Sequence, residues 1–344
     1  MIALPGRTAR KAALLAMVAS LALAGAAQAE TAAACRTLLV VEKGDGDVAA
    51  IDVASGAALW RAPAGVDPHE IVVSDDGSRA FVSNYGGPGG ESHGLSVISL
   101  PKGAPLPPVD LWPMRGPHGL AVRDGSVWFT AESSKAIGRY DLASGRVAWT
   151  LGLGQDRTHM IALGRGGSIV SANASSGTVS IIEPAEVAFG AGPPRKDWKV
   201  TPVTVGEGAQ GIDISSDGRT VWVMAAKRGV VSVIDIATKT IVGQVELPWK
   251  SGNRLKLTPD GSLALVASEQ LAAIDTRTRT FRTLALGRTR AEGILIAPDG
   301  HRAFVALPAE NRVAVVGLPD LKVETYIATG KSPDGLACAP ASGR

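Results

Sequence analysis

The chain has 344 residues, with 35 Lys and Arg against 32 Asp and Glu, which gives a formal net charge of +3 at pH 7. Residues 1–29 contain three of the basic residues and no acidic residue, so the rest of the chain is close to neutral. This balance argues against a broad electrostatic surface for nucleic acid or anionic lipid. The length permits either one large all-β domain or two smaller domains.

The chain begins with a charged segment followed by an apolar one. Three basic residues within positions 7–11 precede an apolar run over 12–27, and the small-x-small sequence Ala27-Gln28-Ala29 follows. This order is typical of a secretory signal peptide, and the run is shorter than the membrane-spanning length of about 20 residues. We therefore expect a signal peptide at 1–29, one domain at 30–344, export to the periplasm or beyond, and no integral membrane contact.

A strand-turn-strand pattern then recurs along the chain. The first copy is PHEIVVSDDGSRAFVSN at 68–84. Later copies are PHGLAVRDGSVWFTA from 117, THMIALGRGGSIVSAN from 158, AQGIDISSDGRTVWVMA from 209, GNRLKLTPDGSLALVAS from 252, AEGILIAPDGHRAFVAL from 291 and PDGLACAP from 333. Equivalent positions in successive copies are 39 to 51 residues apart. A period of this length is typical of a four-stranded blade of a β-propeller.

Each complete copy contains the signals of four strands. An apolar or alternating run leads to a turn such as Asp76-Gly77, where glycine takes a positive φ without steric strain, and a second strand follows. The third strand ends at an aspartate that we expect to cap the next turn through its side chain; these residues are Asp52, Asp141, Asp235 and Asp275. No helical periodicity competes after residue 29, so the predicted fold class is all-β.

The two ends of the chain complete one further blade. TLLVVEK at 37–43, DVAAIDV at 47–53 and ALWRAPAG at 58–65 match the second, third and fourth strands of a copy, whereas the copy at 333–340 supplies only a first strand. Six complete units and one composite unit predict a seven-bladed β-propeller of four-stranded antiparallel blades. Closing the ring in this way removes exposed sheet edges.

The repeats resemble those of YVTN-type seven-bladed β-propellers, surface-layer-like repeat proteins that bacteria secrete. The resemblance rests on PHEIVVSDDGSRAFVSN, GVVSVIDIATKT and APDGHRAFVALPAENRVAVV, and it covers the mature chain. Within single blades, FVSNYGG at 81–87 resembles 6-phosphogluconolactonase-type propellers, and PHGLAVRDGSVWFTAESSKAIGRYD at 117–141 resembles streptogramin-lyase propellers. The fold that these resemblances imply hosts both enzymes and binding proteins, so it specifies no activity.

Polar residues occupy equivalent positions at the start of the first strand of every blade. First strands of a propeller line the central channel, so these residues are expected to ring one mouth of it. We predict a ligand site formed by His69, His118, His159, Gln210, Asn253, Arg254, Glu292 and Asp334, with His93 of the insert at 85–93 above the mouth. Convergent polar groups in a concave mouth favour a small molecule or a protein segment as the ligand. The alternative is that the histidines serve turn geometry alone.

The histidines also allow a metal site. Histidines on adjacent blades can share one divalent ion, so His69, His118 and His159 form a possible metal set, with His69 and His159, two blades apart, at the edge of that reach. One functional hypothesis is an exported binding or interaction protein without catalysis. A second is a metal-dependent hydrolase or lyase in which His118, His159 or Glu292 acts as general acid or base. A haem or quinone protein is a third class, and the chain has no C-x-x-C-H motif for it. We favour the first hypothesis because the sequence shows no complete set of catalytic residues.

Cys35 and Cys338 are the two cysteines of the chain. An exported chain with two cysteines favours a disulfide between them. The repeat alignment places Cys338 in the first strand and Cys35 just before the second strand of the composite blade, near the Cα separation of about 4.4–6.8 Å that a disulfide needs. We therefore predict that this bond closes the ring of a monomeric protein.

Overall fold

The repeated strand signals fold into seven antiparallel sheets of four strands each. The computed structural model describes residues 35–87, 90–188, 190 and 192–339. No helix within these ranges is long and apolar enough to cross a membrane. The sheets confirm the predicted all-β, seven-bladed propeller, whereas the predicted signal peptide at 1–29 lies outside the described residues.

The strands are numbered β1 to β28 in chain order, and within each blade they run from the first strand at the channel to the fourth. Blade 1 contains β28 (Pro333–Ala339), β1 (Thr37–Glu42), β2 (Asp47–Asp52) and β3 (Ala58–Pro63), and blade 2 contains β4 (Pro68–Val73), β5 (Arg79–Gly87), β6 (Gly90–Ser99) and β7 (Ala104–Asp110). Blade 3 contains β8 (Pro117–Arg123), β9 (Ser126–Ala131), β10 (Ala136–Asp141) and β11 (Arg146–Gly152), and blade 4 contains β12 (Thr158–Leu163), β13 (Ile169–Asn173), β14 (Thr178–Val187) and β15 (Arg195–Thr204).

The last three blades follow the same order. Blade 5 contains β16 (Ala209–Ile214), β17 (Thr220–Ala225), β18 (Val230–Asp235) and β19 (Thr240–Glu246). Blade 6 contains β20 (Arg254–Leu257), β21 (Leu263–Ala267), β22 (Leu271–Asp275) and β23 (Phe281–Leu284), and blade 7 contains β24 (Ile294–Ile296), β25 (Arg302–Leu307), β26 (Arg312–Gly317) and β27 (Lys322–Ala328). Within the described residues, two short 3-10 helices lie between strands, at Arg165–Gly167 and Pro308–Glu310.

Side-chain caps hold the turns between the strands, as the sequence predicts. Each of the four corner aspartates accepts a hydrogen bond from the backbone N–H three residues later, at 2.7 to 2.8 Å. In the Asp-Gly turn of blade 2, Gly77 has a φ of 69° and Asp76 accepts a bond from the backbone N–H of Ser78. These local bonds fix the ends of the strands independently of the packing between blades.

The core lies between the faces of neighbouring blades. Between blades 4 and 5, for example, Val170 and Ile181 pack in one buried cluster with Ile212 and Val223. Around the axis, the first strand of each blade contacts the first strands of the two adjacent blades. The seven first strands therefore form the wall of a continuous central channel.

Blade 1 joins the two ends of the chain. Strand β28 pairs antiparallel with β1, with Cys338 opposite Leu38. A disulfide links Cys35 to Cys338 across a Cα separation of 5.4 Å, as predicted. The bond fastens the C-terminal first strand to the N-terminal second strand at the point where the ring closes.

A β-bulge at the start of the first strand sets the direction of the predicted site residues. In blade 2 the register shifts between Pro68 and Ile71, so that His69 and Glu70 lie opposite Ser83 alone. Equivalent shifts occur at the starts of β8, β12, β16 and β28. Bulges re-aim side chains, and in these blades they turn the residue at each site position toward the channel mouth.

In four blades the residue after the site position is glycine: Gly119, Gly211, Gly293 and Gly335. The neighbouring first strand leaves no room for a side chain there. A Cβ added at Gly293 would lie 1.9 Å from the carbonyl oxygen of Asp334, and one at Gly335 would lie 2.3 Å from that of His69. This close approach brings the site residues of adjacent blades together at the mouth.

Candidate functional site

The mouth of the channel contains a cavity of about 310 Å³. It is lined by all of the predicted ligand-binding residues except His93, and in addition by Lys43, Arg157 and Arg290. The repeat therefore brings residues from all seven blades to one place. Their assignment as ligand-binding residues remains a prediction.

His93 lies elsewhere. It is on β6, 48% exposed on its side chain, and its Nδ1 lies 2.8 Å from Oδ1 of Asp110. Its ring contacts Trp112 at a centroid distance of 5.7 Å. His93 does not line the cavity, and the described part of the insert lengthens the β5–β6 hairpin, with Gly86 opposite Glu91.

His159 and Glu132 form a buried pair on one side of the mouth. His159 is 3% exposed and Glu132 is 4% exposed, and Nδ1 of His159 is hydrogen-bonded to Oε1 of Glu132. The other carboxylate oxygen of Glu132 accepts bonds from the hydroxyl of Tyr85 at 2.7 Å and from Nε of Arg157 at 3.4 Å. Burial and the bond to Glu132 raise the pKa of Tyr85 to about 12, so this tyrosine remains a donor.

The pair has a defined protonation state at neutral pH. Burial favours a neutral Glu132, but the bonds from His159 and Tyr85 and the charge of Arg157 outweigh it and lower the pKa of this carboxyl. Burial also lowers the pKa of His159, against the opposing effect of Glu132. An ionised carboxylate only accepts hydrogen bonds, so the proton of the neutral imidazole is on Nδ1 and Nε2 carries a lone pair.

His118 stacks on His159 with a centroid distance of 3.9 Å and an interplanar angle of 35°. Its side chain is buried, and burial followed by the charges of His159 and His69 holds its pKa well below the usual value. Nδ1 of His118 and Nε2 of His159 are both buried without a hydrogen-bond partner among the described residues. Two buried nitrogens in this condition are unusual, since buried polar atoms are almost always bonded.

Both ring nitrogens of His69 are hydrogen-bonded to neighbouring residues. Its Nε2 accepts a hydrogen bond from Nζ of Lys43 at 2.7 Å, so its Nδ1 carries the proton and donates to the carbonyl oxygen of Asp67 at 2.9 Å. Burial and the charge of Lys43 lower the pKa of His69. The structure does not support the predicted metal set of His69, His118 and His159. The group whose potential ligand atoms all lie within 4.8 Å of one another contains Glu132 in place of His69.

Arg254 crosses the channel below the histidines. It is buried, its guanidinium donates to Glu70 on blade 2, and Oδ1 of Asp334 lies 3.7 Å from the same group. That separation is too long for a hydrogen bond, and Oδ1 of Asp334 has no partner within the described part of the chain. Burial, with the nearby charges of Glu70 and Glu292, raises the pKa of Asp334 to about 7 against the opposing charge of Arg254.

The Arg254–Glu70 pair divides the channel. Both residues line a second cavity of about 390 Å³ whose other walls are mostly apolar, including Leu120, Ile161 and Leu336. Of the two, Arg254 also lines the polar cavity at the mouth. The polar cavity at the mouth and this apolar part of the channel therefore meet at Arg254. Only the polar cavity contains the histidines.

Sequence reasoning missed the residues that follow the second strands. Lys43 follows β1, Tyr85 lies near the end of β5, and Glu132 follows β9. The turns after second strands open on the same face as the starts of first strands, so a search for polar residues at the ends of second strands would have found all three. They differ in type from blade to blade, and no repeated motif marks them.

The cavity is lined by more cationic than carboxyl side chains. Four cationic side chains line it, those of Lys43, Arg157, Arg254 and Arg290, against the carboxyl groups of Glu292 and Asp334. Because the pKa of Asp334 is about 7, part of that negative charge is neutralised near neutral pH. Neutral imidazoles beside these charges can accept or transfer protons.

Comparison with known proteins identifies the fold. The profile of one protein family, outer membrane protein assembly factor BamB, matches residues 18–151, less than half of the chain. No curated protein matches this chain. A functionally unknown protein from Desulfotomaculum acetoxidans DSM 771 has a similar structure, with a TM-score of 0.70 and 14% identity over 89% of this chain and 100% of that one.

Two further similar structures carry enzyme names. A streptogramin B lyase matches with a TM-score of 0.63 and 15% identity over 78% of this chain and 86% of that one. A putative 6-phosphogluconolactonase from Bacteroides uniformis ATCC 8492 matches with a TM-score of 0.65 and 14% identity over 88% of this chain and 98% of that one. At this identity the likeness concerns the fold alone.

Proposed function

We propose that the protein is an exported binding protein that holds a small anionic molecule at the histidine-lined mouth of its channel. The observation that carries this proposal is the cavity of about 310 Å³ into which all seven blades direct polar side chains. Its volume lies at the lower end of the usual range for small-molecule pockets, about 300–1,000 Å³. This size favours a small molecule over a folded protein partner.

The charges of the cavity are held in place before any ligand arrives. Lys43 pairs with Asp67 at 3.3 Å, Arg290 pairs with Glu292 at 2.7 Å, and Arg157 pairs with Glu132 at 3.4 Å. Side chains already fixed by such partners lose little conformational freedom when a ligand binds. An anion would be held by the cations that face the cavity, while their carboxylate partners keep these cations oriented.

Three features support export. The N-terminal pattern at 1–29 is that of a signal peptide, the rest of the chain at 30–344 forms one repeat array, and the Cys35–Cys338 disulfide is the kind of bond that oxidising compartments maintain. We propose a periplasmic or secreted, monomeric protein on this basis. We also propose that its repeats are of the YVTN type, on the strength of the motifs GVVSVIDIATKT and APDGHRAFVALPAENRVAVV.

A second candidate function is a metal-dependent hydrolase or lyase that uses the same cavity. The observation in its favour is the orientation of His159 by Glu132, which leaves Nε2 as a free base beside His118. The names of the lyase and lactonase neighbours suggest lactones as test compounds. The partial match to an assembly factor suggests a protein segment as a third kind of ligand. Such a ligand would be a flexible peptide end that enters the cavity.

The proposal is tested with the mature chain, residues 30–344, and a panel of small carboxylates, phosphates and lactones. Binding is measured by isothermal titration calorimetry, and each reaction mixture is assayed for product. We expect an anion to bind, and Arg157→Ala and Arg290→Ala to weaken binding. The matched control is Arg219→Ala, because Arg219 is 82% exposed on its side chain and does not line the cavity.

The outcomes separate the candidates. Binding without turnover supports the binding protein, whereas turnover of a lactone that is lost in His159→Gln supports the enzyme. If no compound binds, or if an anion binds equally well to wild type, Arg157→Ala and Arg290→Ala, the mouth is not the ligand site.

A further inference from the structure

Three buried polar side chains converge on one side of the mouth. His118, His159 and Glu132 are each at least nine-tenths buried, and potential ligand atoms of all three lie within 4.8 Å of one another. His118 and His159 also line the cavity, so a group bound between them would face the proposed ligand. The cluster is thus both enclosed by protein and accessible from one side.

We infer that His118 and His159 bind one divalent transition-metal ion through Nδ1 and Nε2 respectively, with Glu132 as the positioning residue for His159. The inference rests on the proposed function, since the ion would be the group to which the anionic ligand binds. Neither nitrogen has a hydrogen-bond partner among the described residues, although both are buried. A bound ion would be coordinated by both nitrogens and so provide each of them with a partner.

The hydrogen bonds around Glu132 prepare His159 for this role. A carboxylate that accepts the Nδ1 proton fixes the tautomer in which Nε2 has a free lone pair, and it also fixes the plane of the ring. Histidines that bind metals commonly have such a carboxylate partner on the second nitrogen. Tyr85 and Arg157 hold Glu132 in turn from its other oxygen, so the whole group is rigid.

The nature of the ligands limits the choice of ion. Imidazole nitrogens suit Zn²⁺, Cu²⁺ and Ni²⁺, whereas Mg²⁺ and Ca²⁺ prefer oxygen ligands. Two protein ligands leave at least two positions of a four-coordinate ion open. These positions would be filled from the cavity by water or by the anion, which explains why a cationic cavity and the two histidines lie side by side.

Two other histidines provide internal comparisons. His69 lines the same cavity and contacts His118 at a centroid distance of 4.7 Å, but Lys43 occupies its Nε2 and its Nδ1 is bonded to a carbonyl oxygen. His93 has a carboxylate partner in Asp110, as His159 has in Glu132, but it is half exposed and does not line the cavity. Neither residue should contribute to metal binding.

The test uses the mature chain, stripped of metal with a chelator and titrated with Zn²⁺ or Mg²⁺ alone. We expect one Zn²⁺ per chain, with affinity at least about 100-fold higher than for Mg²⁺. His118→Gln and His159→Gln should each weaken Zn²⁺ binding at least about 100-fold. Glu132→Ala should weaken it about 10- to 100-fold, and Glu132→Gln should restore part of the loss because its amide oxygen still accepts the Nδ1 proton.

The matched control is His93→Ala, which should bind Zn²⁺ as wild type does, because His93 does not line the cavity. Circular dichroism verifies that each variant is folded. If the glutamine variants do not fold, wild type loaded with Cu²⁺ answers the same question, because its electron paramagnetic resonance spectrum should show coupling to two imidazole nitrogens. The inference is overturned if folded His118→Gln and His159→Gln bind Zn²⁺ with unchanged affinity, or if the Cu²⁺ spectrum shows no nitrogen coupling.

Anion titrations with and without Zn²⁺ separate this inference from the proposed function. We expect each of the two ligands to increase the affinity for the other, as reciprocal coupling requires. An anion that binds the metal-free chain equally well, with no specific Zn²⁺ site, would leave the binding function standing and overturn the metal site. A Zn²⁺ site with no anion binding would overturn the function alone.

Discussion

Arg254 of blade 6 donates a hydrogen bond across the channel to the carboxylate of Glu70 on blade 2; Arg254 is buried and the Glu70 side chain is mostly buried. Both residues occupy the position that is glycine in four other blades. Two large charged side chains thus occupy positions where, in those four other blades, the neighbouring first strand leaves no room for a Cβ. They connect two nearly opposite blades and separate the polar cavity from the apolar part of the channel.

Replacing Arg254 should destabilise the protein strongly. Arg254→Met leaves Glu70 without its buried partner and also removes the positive charge beside Asp334. Loss of one partner of a buried ion pair typically lowers the free energy of unfolding by about 3–5 kcal/mol, whereas loss of an exposed pair changes it by about 0–1 kcal/mol. Urea denaturation measures the difference, with Arg219→Met as the exposed control.

The double variant Arg254→Met, Glu70→Gln supplies the second half of this experiment. Removing the stranded carboxylate should restore part of the lost stability, because an uncompensated buried charge is the main source of the loss. If Arg254→Met is as stable as Arg219→Met, the Arg254–Glu70 pair contributes nothing to the free energy of unfolding.

The architecture was predictable from the sequence because its signals are local and repeated. Turn residues such as Asp76 and corner caps such as Asp235 form bonds within a few residues of themselves, so the sequence pattern alone indicates the strand ends. The convergence of His69, His118 and His159 followed from the register of the repeat. Once the blades are aligned, equivalent positions must meet at the same mouth.

The rest of the site was not predictable for two physical reasons. Glu132 and Lys43 enter it from second strands, where each blade has a different residue and no periodic signal exists. The pairing of His93 with Asp110 was not predictable because a glycine-rich insert does not reveal whether it continues a hairpin or leaves it, since register is weakly specified in such segments. Protonation and pairing, such as the engagement of His69 by Lys43, depend on contacts between blades and require the structure.

Removing the disulfide should lower stability without changing the fold. Cys35→Ala, Cys338→Ala opens a covalent loop with a sequence separation of 303 residues. Loss of a native disulfide typically lowers the free energy of unfolding by about 2–5 kcal/mol, chiefly by enlarging the unfolded ensemble. Urea denaturation with and without reductant measures this, and reduced wild type should approach the stability of the double variant.

Thiol titration provides the direct check on the same bond. Unfolded, unreduced wild type should contain no reactive thiol, since both cysteines of the chain are paired. Two reactive thiols per chain would contradict the disulfide, and an identical stability of oxidised and reduced protein would contradict its structural role.

The close approach of first strands should make Gly293 intolerant of even one methyl group. The Cβ of Gly293→Ala would lie 1.9 Å from a backbone oxygen, and backbone cannot rotate away as a side chain can. Forcing extra volume into a packed site typically costs about 1–3 kcal/mol. Gly152→Ala is the matched control because no atom lies within 4 Å of the added carbon, and it should remain within about 0.5 kcal/mol of wild type. Equal melting temperatures for the two variants would show that the first strands of blades 7 and 1 do not approach each other closely at Gly293.

Stability should depend on pH through Asp334. Its pKa in the folded protein is about 7, above the ordinary aspartate value of 3.8, because burial and the charges of Glu70 and Glu292 disfavour ionisation. Between these two values the folded chain retains a proton that the unfolded chain has released, so linkage makes the free energy of unfolding fall as pH rises. The stabilising contribution is complete below about pH 4 and is lost as pH rises through about 7.

Asp334→Asn isolates this contribution, because an amide of nearly the same shape does not titrate. Melting temperatures of wild type and Asp334→Asn are compared at pH 5 and pH 8 in the same ionic strength, so that changes at all other groups cancel in the difference. Wild type should lose stability relative to Asp334→Asn between the two pH values, since only wild type must carry a buried charge at pH 8. A difference that stays constant, or that favours wild type at pH 8, would show that Asp334 is already ionised at pH 5 and that Arg254 neutralises it as well as it neutralises Glu70.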